Sequence, residues 1–507
     1  MIEENKSSMK NSVRRLIIAG IGVLIQIIWV VVLVMRLNQY SQIITLLTVA
    51  IELVLVLAVY SMDTNAAFKL PWIIPIVGIC VFFLFGRSGA TKKVRARYRK
   101  IDQQLFAYLN QDEQIIEELS KKDERLANDF KYLWKCASSP VYKNTDVKYY
   151  GDTCDAMAAQ LEDMMQAKKF IFLEYHAIEM AESFQALRKV LMAKAREGVE
   201  IRILYDDAGC IGFLNPRFIK YMESMGIQCR VFNPIMPVLN IFMNNRDHRK
   251  ITVIDGKVAY TGGYNLADEY FNITHPYGQW KDSGIRFEGD AVQTATILFL
   301  EMWNALREQD VDIEKYLPVY PYKAKEQGFF ALYGDSPLDK EPAGENVYMN
   351  LLRHAKKYIY FTTPYLILSD EMTRELTGAA KRGVDVRIIT PGIPDKKTIF
   401  QVTKSYYPQL LKHGVKIYEY TPGFMHEKQC ICDGEIVVVG TINLDFRSLY
   451  LHFENAALFC GYEAVSHVKE DFDALFPICK DMSKEPSERT RRLRLSQLIL
   501  RLFSPLM

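Results

Sequence analysis

Two stretches of this 507-residue chain, His248–Asp255 and His426–Asp433, carry one pattern, H-x-K-x4-D, and stay in register afterwards. A glycine follows each histidine by fourteen residues (Gly262, Gly440) and an asparagine by seventeen (Asn265, Asn443). Matched offsets of this length require the same local backbone twice, so the chain holds two copies of one unit. The repetition reaches further. Tyr150-Gly151-Asp152 recurs as Tyr333-Gly334-Asp335, Ala167–Phe172 as Ala355–Tyr360, and Gly198–Ile203 as Gly383–Ile388. In each copy an amphipathic helix precedes an apolar-aromatic strand, and a basic helix ends at Gly198 or Gly383 before a β-branched strand. A further helix ends at Gly226 or Gly414, glycine standing just past the helix as a C-terminal cap. Strands alternating with helices predict an α/β fold of two tandem halves, 141–320 and 321–480. Each half is expected to be a mixed, mainly parallel sheet flanked by helices, the two being related by pseudo-two-fold symmetry.

Alternation along a strand puts His and Lys, two residues apart, on one face. The apolar run after each motif and the run ending at Gly262 or Gly440 read as a hairpin that returns Asn265 or Asn443 beside the lysine. Two halves facing each other then form one pocket holding His248, Lys250, Asn265, His426, Lys428 and Asn443. Such a pocket suits a phosphodiester, with Lys and Asn orienting the non-bridging oxygens and an imidazole on either side of phosphorus. One neutral histidine attacks phosphorus while the other, protonated, donates to the leaving alkoxide, and the roles then reverse. Ammonium and amide groups stabilise the developing charge, so the reaction as drawn needs no metal or other cofactor. A working imidazole needs a carboxylate to fix its tautomer. Asp282 and Glu454 are the candidates, each downstream of the histidine of its own copy. Asp255 and Asp433 complete the motifs and are counted with the catalytic set, although their place at the start of a D-G turn also suits holding the hairpin together.

Three apolar segments precede the repeats. Residues 16–35 carry no charge through Met35 and match a hydrocarbon core of about 30 Å. Residues 41–60 are similar with Glu52 as the one carboxylate, and 70–86 are shorter and interrupted by Pro71, Pro75 and Gly78. Residues 1–100 therefore read as a multi-pass anchor in the cell membrane, the third segment either crossing or re-entrant. Seven of the fourteen residues from Arg87 to Lys100 are Lys or Arg, which places the chain after them on the cytoplasmic side. Nine scattered cysteines agree with a reducing compartment. Cys430 and Cys432 form a lone C-x-C, expected at alternate positions of a buried strand. Residues 101–140 read as a linker helix, and 481–507 as a basic tail in which Arg489–Leu502 is an amphipathic helix, on the membrane or on the soluble core. With 63 basic and 60 acidic side chains the net charge is +3, which lacks the basic excess of a nucleic-acid binder. Arg447-Ser448, four residues past Asn443, is a candidate headgroup contact or a helix cap.

The paired motifs resemble those of the phospholipase D superfamily, and within it the chain is similar to bacterial cardiolipin synthases. The phrases that carry the resemblance are Asn245-Arg246-Asp247-His248-Arg249-Lys250, Thr261-Gly262-Gly263-Tyr264-Asn265, Trp280-Lys281-Asp282, Gly440–Ser448 and His452-Phe453-Glu454-Asn455. It implies condensation of two phosphatidylglycerols into cardiolipin with release of glycerol, His248 being the nucleophile and His426 the general acid. Lys281, Gly284 and His452 depart from the family's usual Arg, His and Asn. Hydrolysis to phosphatidic acid, transfer to another alcohol, or a non-enzymatic membrane scaffold are the alternatives, and the oligomeric state is open.

Overall fold

The computed structural model describes residues 92–484 except 215–216, 236–243, 308–309, 311 and 340, with a few isolated positions outside that range. The three apolar segments and the Arg489–Leu502 tail lie almost wholly outside the described residues. Among the described residues no helix is long and apolar enough to cross a membrane.

The first half contributes β1 (Thr145–Tyr150), β2 (Phe170–Tyr175), β3 (Glu200–Asp206), β4 (Gln228–Phe232), β5 (Arg246–Asp247), β6 (Lys250–Ile254), β7 (Val258–Gly262), β8 (Gln279–Lys281) and β9 (Gly284–Gly289). The second contributes β10 (Phe329–Asp335), β11 (Tyr358–Thr362), β12 (Asp385–Pro391), β13 (Lys416–Tyr420), β14 (Gly423–Met425), β15 (Gln429–Cys432), β16 (Ile436–Gly440), β17 (His452–Cys460) and β18 (Cys479–Asp481). One sheet runs β1-β9-β7-β6-β2-β3-β4 and the other β10-β17-β16-β15-β11-β12-β13-β18. Strand for strand the orders match, with β18 added at one edge. The helices expected before Gly198, Gly383, Gly226 and Gly414 are present, and each of these glycines has positive φ.

The sheets are mixed but not mainly parallel, which corrects the expectation. Within the two sheet orders only β2-β3-β4 and β11-β12-β13 are parallel, and the remaining neighbours are antiparallel. Helical crossovers join the early strands of each half, whereas β6-β7 and β15-β16 are joined by turns too short for a parallel crossover. The hairpins β6-β7 and β15-β16 show why. Asp255 and Gly256 sit at φ 53° and 67°, Asp433 and Gly434 at 54° and 72°, the left-handed pair at the centre of the tight turns that the Lys257 and Glu435 N–H groups close onto the Ile254 and Cys432 carbonyls. Each aspartate also receives three backbone N–H groups from the segment entering the neighbouring strand: Lys168, Lys169 and Phe170 for Asp255, and Lys356, Lys357 and Tyr358 for Asp433. These carboxylates lie about 16 Å along the strand from the motif lysines. The structure thus removes Asp255 and Asp433 from the catalytic set, because their oxygens are spent on the turn.

The repeated glycines have an equally local cause. A Cβ on Gly262 would lie 2.4 Å from the Ser283 carbonyl oxygen, and one on Gly440 would lie 2.4 Å from that of Asn455. Hydrogen here lets β7 close on β9 and β16 on β17. Cys430 and Cys432 are buried on β15 as expected and are free thiols.

The halves share a core. Helix Val292–Leu306, with 13 of its 15 residues buried, packs in one apolar cluster with Phe172, Val253 and Phe287 of the first sheet and Phe330, Val439 and Phe459 of the second. A helix buried on nearly every side belongs in such a position, its few polar groups being paired, as Glu301 is with Arg249. The expected linker helix over 101–140 is instead three helices, Lys92–Leu105, Glu113–Lys122 and Glu124–Ala137. Asp112 and Asp123 accept the Gln114 and Arg125 N–H groups and so start the second and third. The first packs on the shared core through Tyr98, Ile101 and Leu105.

Gly262→Ala or Gly440→Ala should each cost about 2–3 kcal/mol, since backbone must move to admit the methyl group. A denaturant titration of each variant should show a lowered midpoint at unchanged slope.

Candidate active site

The chain enters each motif through a short strand that pairs with the opposite half. β5 runs parallel to the start of β17, setting Arg246 beside His452 and Asp247 beside Phe453. The His248 N–H then donates to the Phe453 carbonyl at 2.9 Å. In the other direction β14 runs parallel to β8, with Met425 beside Lys281, and the His426 N–H donates to the Lys281 carbonyl at 2.8 Å. Each histidine is thereby stitched to the residue immediately before the other half's carboxylate.

The side chains follow. His248 Nδ1 lies 2.9 Å from both oxygens of Glu454, and His426 Nδ1 lies 2.6 Å from Asp282 Oδ2. The carboxylates are therefore those expected, but their assignment is crossed: neither serves its own copy's histidine. Pairing within a copy was inferred from chain order, which carries no information about strands exchanged between halves. A carboxylate accepts, so each shared hydrogen sits on Nδ1 and each Nε2 is left as the reactive nitrogen.

Glu454 is held further by the hydroxyls of Ser448, at 2.5 Å, and Thr441. Ser448 Oγ also accepts the Asn443 N–H, and its own N–H donates to Asp445, the cap of helix Phe446–Tyr450, so this residue braces the carboxylate rather than facing a headgroup. Arg447 is half-buried near Asp445 and Arg246. On the other side, a Cβ at Gly263 would lie 2.1 Å from Asp282 Oδ1; glycine makes room for the first carboxylate where Thr441 grips the second. Lys250 and Lys428 donate from Nζ to the carbonyls of His248 and His426. Asn265 Oδ1 accepts the Ala177 N–H while its amide donates to Tyr270. Asn443 Oδ1 is buried without a hydrogen-bond partner.

The alternation read from the motif is visible in its middle residues. Arg249, between His248 and Lys250, points to the opposite side and pairs with Glu301 at 2.9 Å. Glu427 pairs with Lys281 at 2.7 Å, and Lys281 pairs also with Asp471 at 2.8 Å. Lys281 thus ties the second motif to β8 of the first half.

Burial pushes both histidines down, His426 to about 4 and His248 well below its usual value, with the motif lysines adding to the effect. Lys428 and His426 are among the groups that depress His248, so the two motifs share one electrostatic site. Burial likewise lowers Lys250 to about 7 and Lys428 to about 8. The site is short of negative charge. An anion placed between the lysines supplies it and restores their protons.

The two imidazoles have different surroundings. Tyr270, Trp280 and Phe424 lie around His426, with ring centroids 5.2, 5.0 and 5.8 Å away. His248 instead meets two further imidazoles, His176 at 5.0 Å and His452 at 5.7 Å. His176 Nδ1 lies 2.8 Å from the Asp247 carbonyl. The sequence reading passed over His176, and its signal is that the internal repeat puts Pro364 at the corresponding place. Among the described residues, the donor atoms of His248, His452 and Glu454 lie within 4.8 Å of one another, the one group spaced to hold a metal ion.

The sequence profile of the family described as "Cardiolipin synthase, PLD-like domain" matches residues 161–303 and 348–476, taking in one motif each. A cardiolipin synthase of Halalkalibacterium halodurans is 32% identical over 442 residues, 86% of this chain and 87% of that protein. An uncharacterized protein of Streptococcus mutans is 40% identical over 434 residues, 85% of this chain and 94% of that one. The crystal structure of a phosphatidylserine synthase from Haemophilus influenzae Rd KW20 superimposes with a TM-score of 0.55 at 13% identity, over 71% of this chain and 92% of that one; it speaks for the fold. Two histidine–lysine pairs on duplicated mixed sheets define a phosphatidyltransferase of the phospholipase D superfamily. Within that superfamily the chain belongs to the bacterial cardiolipin synthase family.

In a double-mutant cycle read by thermal denaturation, His248→Ala and Glu454→Gln should couple by about 1 kcal/mol or more, and by clearly more than His248→Ala and Asp282→Asn, which interact only through the shared charges of the site. Tungstate, an anion across the range, should bind the purified protein at least about tenfold more tightly at pH 6.5 than at pH 9 by calorimetry. Raising the pH strips protons from Lys250 and Lys428 in the empty site and so removes the attraction.

Proposed function

We propose that this protein condenses two phosphatidylglycerol molecules into cardiolipin and glycerol through a phosphohistidine. His248 Nε2 attacks phosphorus, the N–P bond forms, and the P–O bond to the headgroup glycerol breaks as His426, which enters the step protonated on Nε2 because the bound phosphodiester anion raises its proton affinity, gives that oxygen its proton. The primary hydroxyl of a second phosphatidylglycerol then attacks phosphorus, His426 Nε2 takes its proton, the N–P bond breaks, and cardiolipin leaves. Lys250, Lys428, Asn265 and Asn443 bind the non-bridging oxygens and stabilise their charge in both transition states. Glu454 and Asp282 hold the two tautomers, and Arg447 stands at the headgroup.

The observation that carries this reading is the crossed His–carboxylate exchange, which brings two Nδ1-anchored imidazoles and two lysines into one site. The different neighbours of the rings support the division of labour. Electron-rich aromatic faces and Asp282 favour a transient imidazolium at His426, whereas burial and the motif lysines keep His248 neutral and nucleophilic. The matched strand orders support a pseudo-two-fold axis through the site. In this reading the segments 16–35 and 41–60, with 70–86 crossing or re-entrant, anchor the protein in the cell membrane ahead of helix Lys92–Leu105, the catalytic halves are cytoplasmic, and the tail lies on the second half, where Leu500 packs on the core and Arg501 on the Tyr406 ring. The substrates are then membrane lipids and not nucleic acid.

Purified protein in mixed micelles with headgroup-labelled phosphatidylglycerol should release glycerol and form cardiolipin with EDTA present. His248→Ala and His426→Ala should each lower the rate by at least about 10⁴-fold with folding intact. Phosphatidic acid as the main product would turn the reading into a hydrolase, and no turnover would remove it.

A further inference from the structure

His452 is the one histidine beside the site with both ring nitrogens buried and neither hydrogen-bonded. It lies at the head of β17, two residues before Glu454, with its Nδ1 3.7 Å from Glu454 Oε1. Its ring faces that of His248 at 5.7 Å. A buried ring with two idle nitrogens is uncommon and calls for an unseen partner.

Glu454 has room for that partner. Ser448 takes one lone-pair direction on Oε1 and Thr441 one on Oε2, while the directions that remain face the hydrogen on His248 Nδ1. A cation in place of that hydrogen would meet His248 Nδ1, a Glu454 oxygen and a His452 nitrogen. Metal–ligand bonds of about 2.1 Å put neighbouring donors roughly 2.9–4 Å apart. The His248–Glu454 separation of 2.9 Å and the His452–Glu454 separation of 3.7 Å fall in that interval. Two imidazoles and one carboxylate are ligands for Zn²⁺ and its late first-row neighbours, and not for Mg²⁺ or Ca²⁺.

We infer that His248, His452 and Glu454 form a binding site for Zn²⁺ or a similar late first-row divalent ion, and that its occupation switches the enzyme off. The inference rests on the proposed role of His248 as nucleophile. The inhibition follows from proton balance. When the metal takes Nδ1, the proton of the neutral imidazole moves to Nε2 and no lone pair is left there to attack phosphorus; no other bond is made or broken. Removal of the ion returns the proton to the Nδ1–Glu454 bond. His452 does not touch the substrate in this scheme and is needed only for the ion.

The test uses the full-length protein in detergent, stripped with EDTA, and titrated with Zn²⁺ or Co²⁺ alone. Calorimetry should show one ion bound per chain, and Co²⁺ should give the visible absorption of a low-coordinate nitrogen and oxygen site. Zn²⁺ should inhibit cardiolipin formation, and EDTA should reverse it. His452→Asn should keep the EDTA-treated rate within about twofold of the parent while the inhibitory Zn²⁺ concentration rises at least about 100-fold. If that variant does not fold, His452→Gln takes its place. Inhibition unchanged in the variant, or the absence of Zn²⁺ binding to the parent, overturns the inference. A parent that binds one Zn²⁺ through His452 but makes no cardiolipin in EDTA overturns the proposed function and leaves the metal site standing.

Discussion

Each motif histidine hydrogen-bonds through Nδ1 to a carboxylate that the other half supplies, and much of the molecule is arranged to permit this exchange. An imidazole and an ammonium group buried together are costly unless partners are near. Here the partner is delivered by a short parallel pairing, β5 on β17 and β14 on β8, that also anchors the histidine N–H one residue ahead of the carboxylate. The same register operates in both directions. Neither half holds a complete site, and separating them would strand two imidazoles, two lysines and two carboxylates.

What surrounds the exchange keeps it narrow and dry. Gly262 lets its hairpin approach Ser283, next to Asp282, and Gly440 lets its hairpin approach β17, which carries Glu454, at distances a methyl group would forbid. Arg249 and Glu427, the middle residues of the motifs, are turned away by strand alternation and are spent on Glu301 and Lys281. That leaves the site face with lysines whose protons are loosely held and histidines that are neutral. A lipid phosphodiester completes the charge balance, which is why the arrangement suits an anion.

The halves are copies in topology but not in chemistry. Thr441 and Ser448 grip Glu454, whereas Gly263 merely clears space for Asp282. Aromatic rings line His426, and imidazoles flank His248. Duplication supplies two equivalent reagents, and these local differences allow them to take unequal parts in one reaction.

Much of this was legible in the amino-acid order. The duplicated H-x-K-x4-D motifs, the glycine and asparagine offsets, the capping glycines and the helix–strand alternation identify two copies of an α/β unit and the residues Lys250, Lys428, Asn265 and Asn443 that accompany the histidines. These features were readable because strand alternation, hairpin turns and helix caps are local, set within a few residues of one another. Tertiary structure alone decided that the later strands run antiparallel, that Asp255 and Asp433 are consumed by backbone N–H groups, that Ser448 braces Glu454, and that Glu454 serves His248 while Asp282 serves His426. Each of these depends on which segments meet across the core, between residues as far apart as 248 and 454. Contacts at that separation are chosen by packing of the two sheets against the shared helix, and no local pattern along the chain encodes them.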